Sequence, residues 1–177
     1  MAADAPQAAP RGIKIRPARP GEGQVLYDVT QAAITGLAAA HYTPAQIAQW
    51  MSGRDAAHYE QVIAGGAVRV AVRAGLVCGF VDTAPGVLTR LFVRPDMAGQ
   101  GLGRRLLQIG LTNAAQDAAQ NGVEYGVEYG VVRLEATLNA APFYARHGFV
   151  EQNRAMYRHP LGGLPVEVVH MVFHTAK

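Results

Sequence analysis

Cysteine is nearly absent from this sequence, and the single one, Cys78, excludes an internal disulfide. It sits in the apolar run Leu76-Val77-Cys78-Gly79-Phe80, the setting of a small buried hydrophobe rather than a reactive thiol. No apolar stretch approaches the ~20 residues needed to cross a bilayer, so no membrane partner is expected. The first eleven residues are rich in Ala and Pro and lack the basic-then-apolar order of a secretory signal. They are read as a disordered tail, and a cytoplasmic location follows by default. Charge of one sign is also scarce. A formal net charge of +3 with no run of five or six basic residues is too weak to argue for nucleic acid, and no such partner is expected. An anionic small ligand stays compatible with it through local field.

What remains is ordinary globular composition, 50% hydrophobic and 16% charged over 177 residues, enough for one domain with a substantial core, expected over 12–177. Ile13, Ile15 and Pro17 open a strand. From Gly21 to Ala40 apolar residues recur at three and four, the spacing of a helix. Thr43-Pro44-Ala45-Gln46 supplies an N-cap, a proline at N1 and a glutamine at N3 for a second helix reaching Trp50 or Ser52. A third helix is expected from Ala56 to Ile63. Strands follow at Ala67–Arg73 and Leu76–Thr83 around an Ala74-Gly75 hairpin turn, and at Val87–Val93, stopped by Arg94-Pro95-Asp96. A long helix from Gly101 to Gln120 leads to a strand at Val131–Thr137. A short helix at Ala140–His147 and two closing strands, from Val150 and over Leu164–Phe173, complete the chain. This order predicts an α/β (α+β) fold: a mixed, mostly antiparallel sheet with flanking helices, in which Val87–Val93 and Val131–Thr137 form a parallel pair. Val123-Glu124-Tyr125-Gly126 recurs at once as Val127-Glu128-Tyr129-Gly130. Two copies of four residues are too short for a repeat architecture, so the duplication is read as lengthening the helix-to-strand connection.

The segment Leu91 to Arg105 carries the most chemical information. A strand, a turn and glycines at 99, 101 and 103 lead into a helix. Glycines let the backbone approach a ligand and turn its amides to one side. The helix start adds unpaired N–H groups and the positive end of a dipole. Phosphate or pyrophosphate suits such a site, with Arg104 and Arg105 adding charge; the alternative is a flexible turn before a helix. Gly103 is followed by Arg-Arg, which excludes a P-loop, and neither Gly99 nor Gly101 starts a Gly-x-Gly-x-x-Gly dinucleotide motif.

This segment resembles the acetyl-CoA loop of the GNAT superfamily, Arg/Gln-x-x-Gly-x-Gly/Ala after a strand ending in Val-x-Pro. Gly101 and Gly103 match the small positions, while Ala98 replaces the usual Arg or Gln. A second block, Arg133 to Phe149, is similar to the later GNAT segment in which a strand ends in asparagine, a helix carries Phe-Tyr, and Gly-Phe follows. The likeness spans residues 12–177 and is strongest from Val87 to Val150. The stretch His41–Trp50 is also similar to a group of bacterial GNAT proteins.

The resemblance implies an acyltransferase: an N-acetyltransferase moving the acetyl group of acetyl-CoA to a primary amine of a small molecule or peptide by direct attack. Its alternative is an acyl-CoA-binding sensor with little turnover. The pantetheine arm would pair with the backbone of Leu91, Phe92 and Val93. The pyrophosphate would meet Gly99, Gln100, Gly101, Leu102, Gly103 and Arg104, with Phe143 also at the cofactor. Asn139 would reach the pantetheine or the departing sulfur, unless it simply caps the following helix. Tyr144 would protonate the departing thiolate, against a reading as a core aromatic. His147 suits a helix C-terminus better than catalysis. Asp82, Glu135 and His41 are candidate bases, none assigned. No metal is implied, and a homodimer is left open.

Overall fold

The computed structural model describes residues 12–125 and 130–175. Seven strands, β1 (Ile13–Pro17), β2 (Arg69–Arg73), β3 (Leu76–Ala84), β4 (Val87–Val93), β5 (Val131–Thr137), β6 (Val150–Tyr157) and β7 (Val166–His174), form one sheet in the order β1-β2-β3-β4-β5-β7-β6. Every neighbouring pair is antiparallel except β4 and β5. The helices are α1 (Gly23–Ala33), α2 (Pro44–Gln49), α3 (Ala56–Ala64), α4 (Leu102–Tyr125) and α5 (Ala141–Arg146). The expected fold class is therefore the observed one.

Side chains of β3 divide between two cores, with the extra residue Cys78 shifting the two-residue alternation of the strand by one. Val77 and Phe80 point to Leu26, Val29, Tyr59 and Ile63 of α1 and α3. Cys78 and Val81 point to Leu102, Leu106, Leu107 and Ala114 of α4. Burial on both faces accounts for the near-continuous apolar run that the sequence showed there. Cys78 is an extra residue in the ladder with β2, its thiol set against the Ala71 carbonyl and its pKa raised by burial. That is the inert role expected of it.

The Ala74-Gly75 turn has positive φ at both residues, 49° and 82°, the signature of a type I′ hairpin. The capping box at α2 is complete: Thr43 Oγ1 accepts from the Gln46 N–H, and the Thr43 N–H donates to Gln46 Oε1. Most boundaries fall within about two residues of expectation, and two differ by more. The first helix ends at Ala33 and passes into a π-helical segment, Ile34–Ala38. Gly36 lies there against Pro95, so close that a Cβ would sit 2.7 Å from the proline ring. Helix α4 runs to Tyr125, beyond the expected Gln120; residues 126–129 of the duplication lie outside the described residues.

Candidate active site

Strands β4 and β5 pair at one point only, Val87 opposite Arg133, where the Arg133 N–H donates to the Gly86 carbonyl at 2.9 Å. Beyond it β4 pairs only with β3, up to Val93 opposite Gly79, and β5 pairs only with β7. The sheet is therefore split along β4, and Leu88 to Val93 keep one edge of their backbone without a strand partner. A β-bulge sets up the split. Asp82 faces Arg90 and Thr83 faces Leu88, which leaves Thr89 as the extra residue. Buried Asp82 holds this bulge, its Oδ2 accepting from Thr89 Oγ1 at 2.8 Å and from Arg90 at 2.6 Å. A bulge bends and twists its strand, and Asp82 is committed to fastening it rather than open as a base.

A cavity of about 620 Å³ lies along the split. Leu91, Phe92, Val93, Gly99, Gly101, Gly103, Arg104, Asn139, Phe143 and Tyr144 all line it, so two segments about 40 residues apart in sequence meet at one site. Gly99 and Gly101 have φ of 74° and 79°, the left-handed region that favours glycine. The first hydrogen bond of α4 runs from Arg105 N–H to the Gly101 carbonyl, which leaves the N–H groups of Leu102, Gly103 and Arg104 at the helix end. Gln100 and Leu102 do not line the cavity: the Gln100 side chain donates to the Asp96 carbonyl, and Leu102 is fully buried in the core. Only their backbone amides are available.

Asn139 is not the cap of α5; the cap residue is Ala140, without a side-chain bond. Asn139 Oδ1 is buried and has no partner among the described residues. A buried acceptor without a partner calls for an explanation. Tyr144 is both core aromatic and cavity wall, stacked edge-on against Phe143 and Phe149. Burial alone pushes its phenol well above the ordinary value. His147 Nδ1 lies 2.8 Å from the Phe143 carbonyl, and His41 lines the same cavity.

One residue that sequence reasoning missed is Tyr42. Its hydroxyl accepts from the Leu138 N–H and donates to the Glu167 carbonyl, both at 2.8 Å. It ties the end of β5, next to Asn139, to β7. No local signal marks it, since its partners lie 96 and 125 residues away. A second cavity, about 800 Å³, adjoins the first and shares Trp50, Phe92 and Thr137 with it. Glu135 borders this one, 3.6 Å from His170 Nε2.

The acetyltransferase (GNAT) domain family matches residues 38–169, which is most of the chain. The chain belongs to this family of N-acetyltransferases and is an acyltransferase enzyme. It is 28% identical over 148 residues to YafP of Escherichia coli K12, an uncharacterised N-acetyltransferase, a match spanning 82% of this chain and 88% of that protein. A GCN5-related N-acetyltransferase structure from Rhodopseudomonas palustris has a TM-score of 0.77 at 23% identity, covering 91% of this chain and 94% of its own. PaiA N-acetyltransferase from Thermoplasma acidophilum, solved in complex with coenzyme A, has a TM-score of 0.63 at 17% identity, covering 92% and 98%. These two structures show the shared fold. Among the described residues no helix is long and apolar enough to cross a membrane, and no group of His, Cys, Asp and Glu could hold a metal ion.

Proposed function

We propose that this enzyme binds acetyl-CoA in the split between β4 and β5 and transfers its acetyl group to an amine entering through the second cavity. The split carries the reading. An unpaired strand edge offers alternating N–H and C=O groups to the amides of an extended ligand, and at its end the α4 amides and Arg104 offer a site for phosphate. The orphaned Asn139 oxygen lines the same cavity and supports an amide-bearing ligand there. When bound, the co-substrate supplies a thioester: a C–N bond forms, the C–S bond breaks, the nitrogen sheds one proton and the sulfur gains one.

Tyr144 is the proton donor in this reading, and burial keeps its phenol protonated at neutral pH. Trp50, Phe92 and Thr137, common to both cavities, mark where amine and thioester meet. The amine must arrive neutral, and a lysine-like amine with pKa near 10.4 is almost wholly protonated at pH 7. Arg54 beside the second cavity disfavours a further cation, which lowers the demand on a base. Two measurements test the reading: acetyl-CoA binding by calorimetry, and release of CoA thiol with a panel of amines. Gly103→Val should abolish binding, because a Cβ at Gly103 already reaches within 3.5 Å of the Phe143 ring and a branch would fill the passage. Unchanged affinity in a folded Gly103→Val protein would refute the assignment of this cavity.

A further inference from the structure

The second cavity is built from chain segments that are distant in sequence and close in charge. Arg54 follows α2, His58 lies on α3, Arg90 on β4, and His159 in the connection between β6 and β7; all four line the cavity. The His58 and His159 rings stand 5.9 Å apart, edge to face. The wall that brings them together is tightly fitted. A Cβ on Gly53 would sit 2.1 Å from the Leu161 carbonyl oxygen, and one on Gly163 2.6 Å from that of Gln49. Gln46 Nε2 also donates to the Pro165 carbonyl at 2.8 Å.

The anionic side of the account is short. Asp82 holds Arg90 and Thr89. Asp55 caps α3 by accepting from the His58 N–H. Glu135 pairs with His170. None of the three neutralises Arg54, whose one side-chain hydrogen bond among the described residues is a 3.7 Å contact to the Met51 sulfur and whose Nε is buried with no partner among them. Burial acts most against its charge, Tyr59 and Tyr157 favour it, and Arg90, the smallest of the four influences, opposes it. A half-buried cation without a counter-charge is costly, and an oxyanion in the cavity supplies what the protein withholds. His159 adds a donor: its Nδ1 accepts from the Leu161 N–H at 3.2 Å, so the neutral ring carries its proton on Nε2.

We propose that the acceptor is an amine bearing an oxyanion, a carboxylate or a phosphate, and that Arg54, His58 and His159 hold that group. The inference rests on the acetyl-transfer reading for the amine, but the anion site can be tested without turnover. Burial first, then Arg54, His58 and Arg90, hold the His159 imidazole down at about 4; burial, Arg90 and Arg54 also lower His58. An anion bound among them raises both. The protein alone is titrated with inorganic phosphate, and separately with malonate, while the histidine ring resonances are followed by NMR. Saturable shifts at His58 and His159 and a rise in the His159 pKa are expected, with affinity falling about tenfold or more in Arg54→Gln and partly recovered in Arg54→Lys. Shifts matched by chloride at equal ionic strength, or wild-type binding by a folded Arg54→Gln protein, would overturn the proposal.

In turnover, 4-aminobutyrate and 3-aminopropylphosphonate should exceed neutral 4-aminobutyramide at least tenfold in kcat/KM, and the better of the two identifies the oxyanion. Arg54→Gln should bring the acidic-to-neutral ratio toward one. Equal kcat/KM for acid and amide in the wild type also overturns the proposal. Phosphate binding with no CoA release from any amine would leave the anion site standing and remove the acetyl-transfer reading instead.

Discussion

Replacing Tyr144 with phenylalanine isolates one oxygen atom. The ring is 6% exposed and packs against Phe143 and Phe149, and the substitution keeps all of that contact. No group among the described residues shares a hydrogen bond with the hydroxyl, and its raised pKa has burial as its one cause. Its removal therefore orphans no partner, and the melting temperature should stay level or rise slightly. The catalytic effect is bounded from two sides. Full proton donation by a placed acid contributes ~10²- to 10⁴-fold. A phenol held above its ordinary pKa of about 10 is a weaker acid than a thiol near 8.5, so complete transfer to the departing thiolate is uphill. A hydrogen bond to that developing charge, about 1.5–3 kcal/mol, corresponds to roughly 10- to 150-fold. We expect Tyr144→Phe to fall in this lower range, with acetyl-CoA affinity retained. The assay is single-turnover release of CoA thiol at saturating acetyl-CoA, which reads chemistry rather than product release. The wild-type rate should show no loss from Tyr144 ionisation up to pH 10. A single-turnover rate unchanged in Tyr144→Phe would reduce the residue to a core aromatic and move proton donation to water or another side chain.

Asn139→Ala removes an acceptor that has no partner among the described residues, so thermal melts should show no loss while calorimetry shows acetyl-CoA binding weakened about tenfold. Equal weakening of fold and binding would make Asn139 structural. Tyr42→Phe leaves the Leu138 N–H and Glu167 carbonyl without their shared hydroxyl, at a cost of about 1–3 kcal/mol, and denaturant melts should reveal it together with weaker acetyl-CoA binding. With His159 held at about 4 against an ordinary 6.5, the unfolded chain binds more protons between those values, so stability should fall as pH drops from about 6.5 toward 4. His159→Gln should flatten that slope in pH-dependent melts. Deleting Val127–Gly130 makes Gly126 the residue before Val131, so a glycine still occupies the position where Gly130 has φ of 79°. The shortened protein should fold and bind acetyl-CoA by calorimetry, since small changes in connection length cost little.

What could be read from the sequence was local. Glycines at 99, 101 and 103, the α2 capping box, the Ala74-Gly75 turn and the limits of β4 and β5 each depend on backbone preferences within a few residues, and all stand where expected. The candidate cofactor cavity was accessible for the same reason: its two segments carry their own patterns, and one crossover joins them. Tertiary structure decided the rest. The bulge at Thr89 and its Asp82 clamp depend on register between strands, which no single segment encodes. The π-helical segment at Ile34–Ala38 stands where Gly36 meets Pro95, 59 residues further along the chain. Tyr42 looks like any other tyrosine until Leu138 and Glu167 come beside it. The cationic cavity depends most on the fold. Arg54, His58, Arg90 and His159 are scattered and form no motif, and their shared field exists only where the β6–β7 connection packs onto the residues after α2, because electrostatic coupling depends on distance in space and not on separation along the chain.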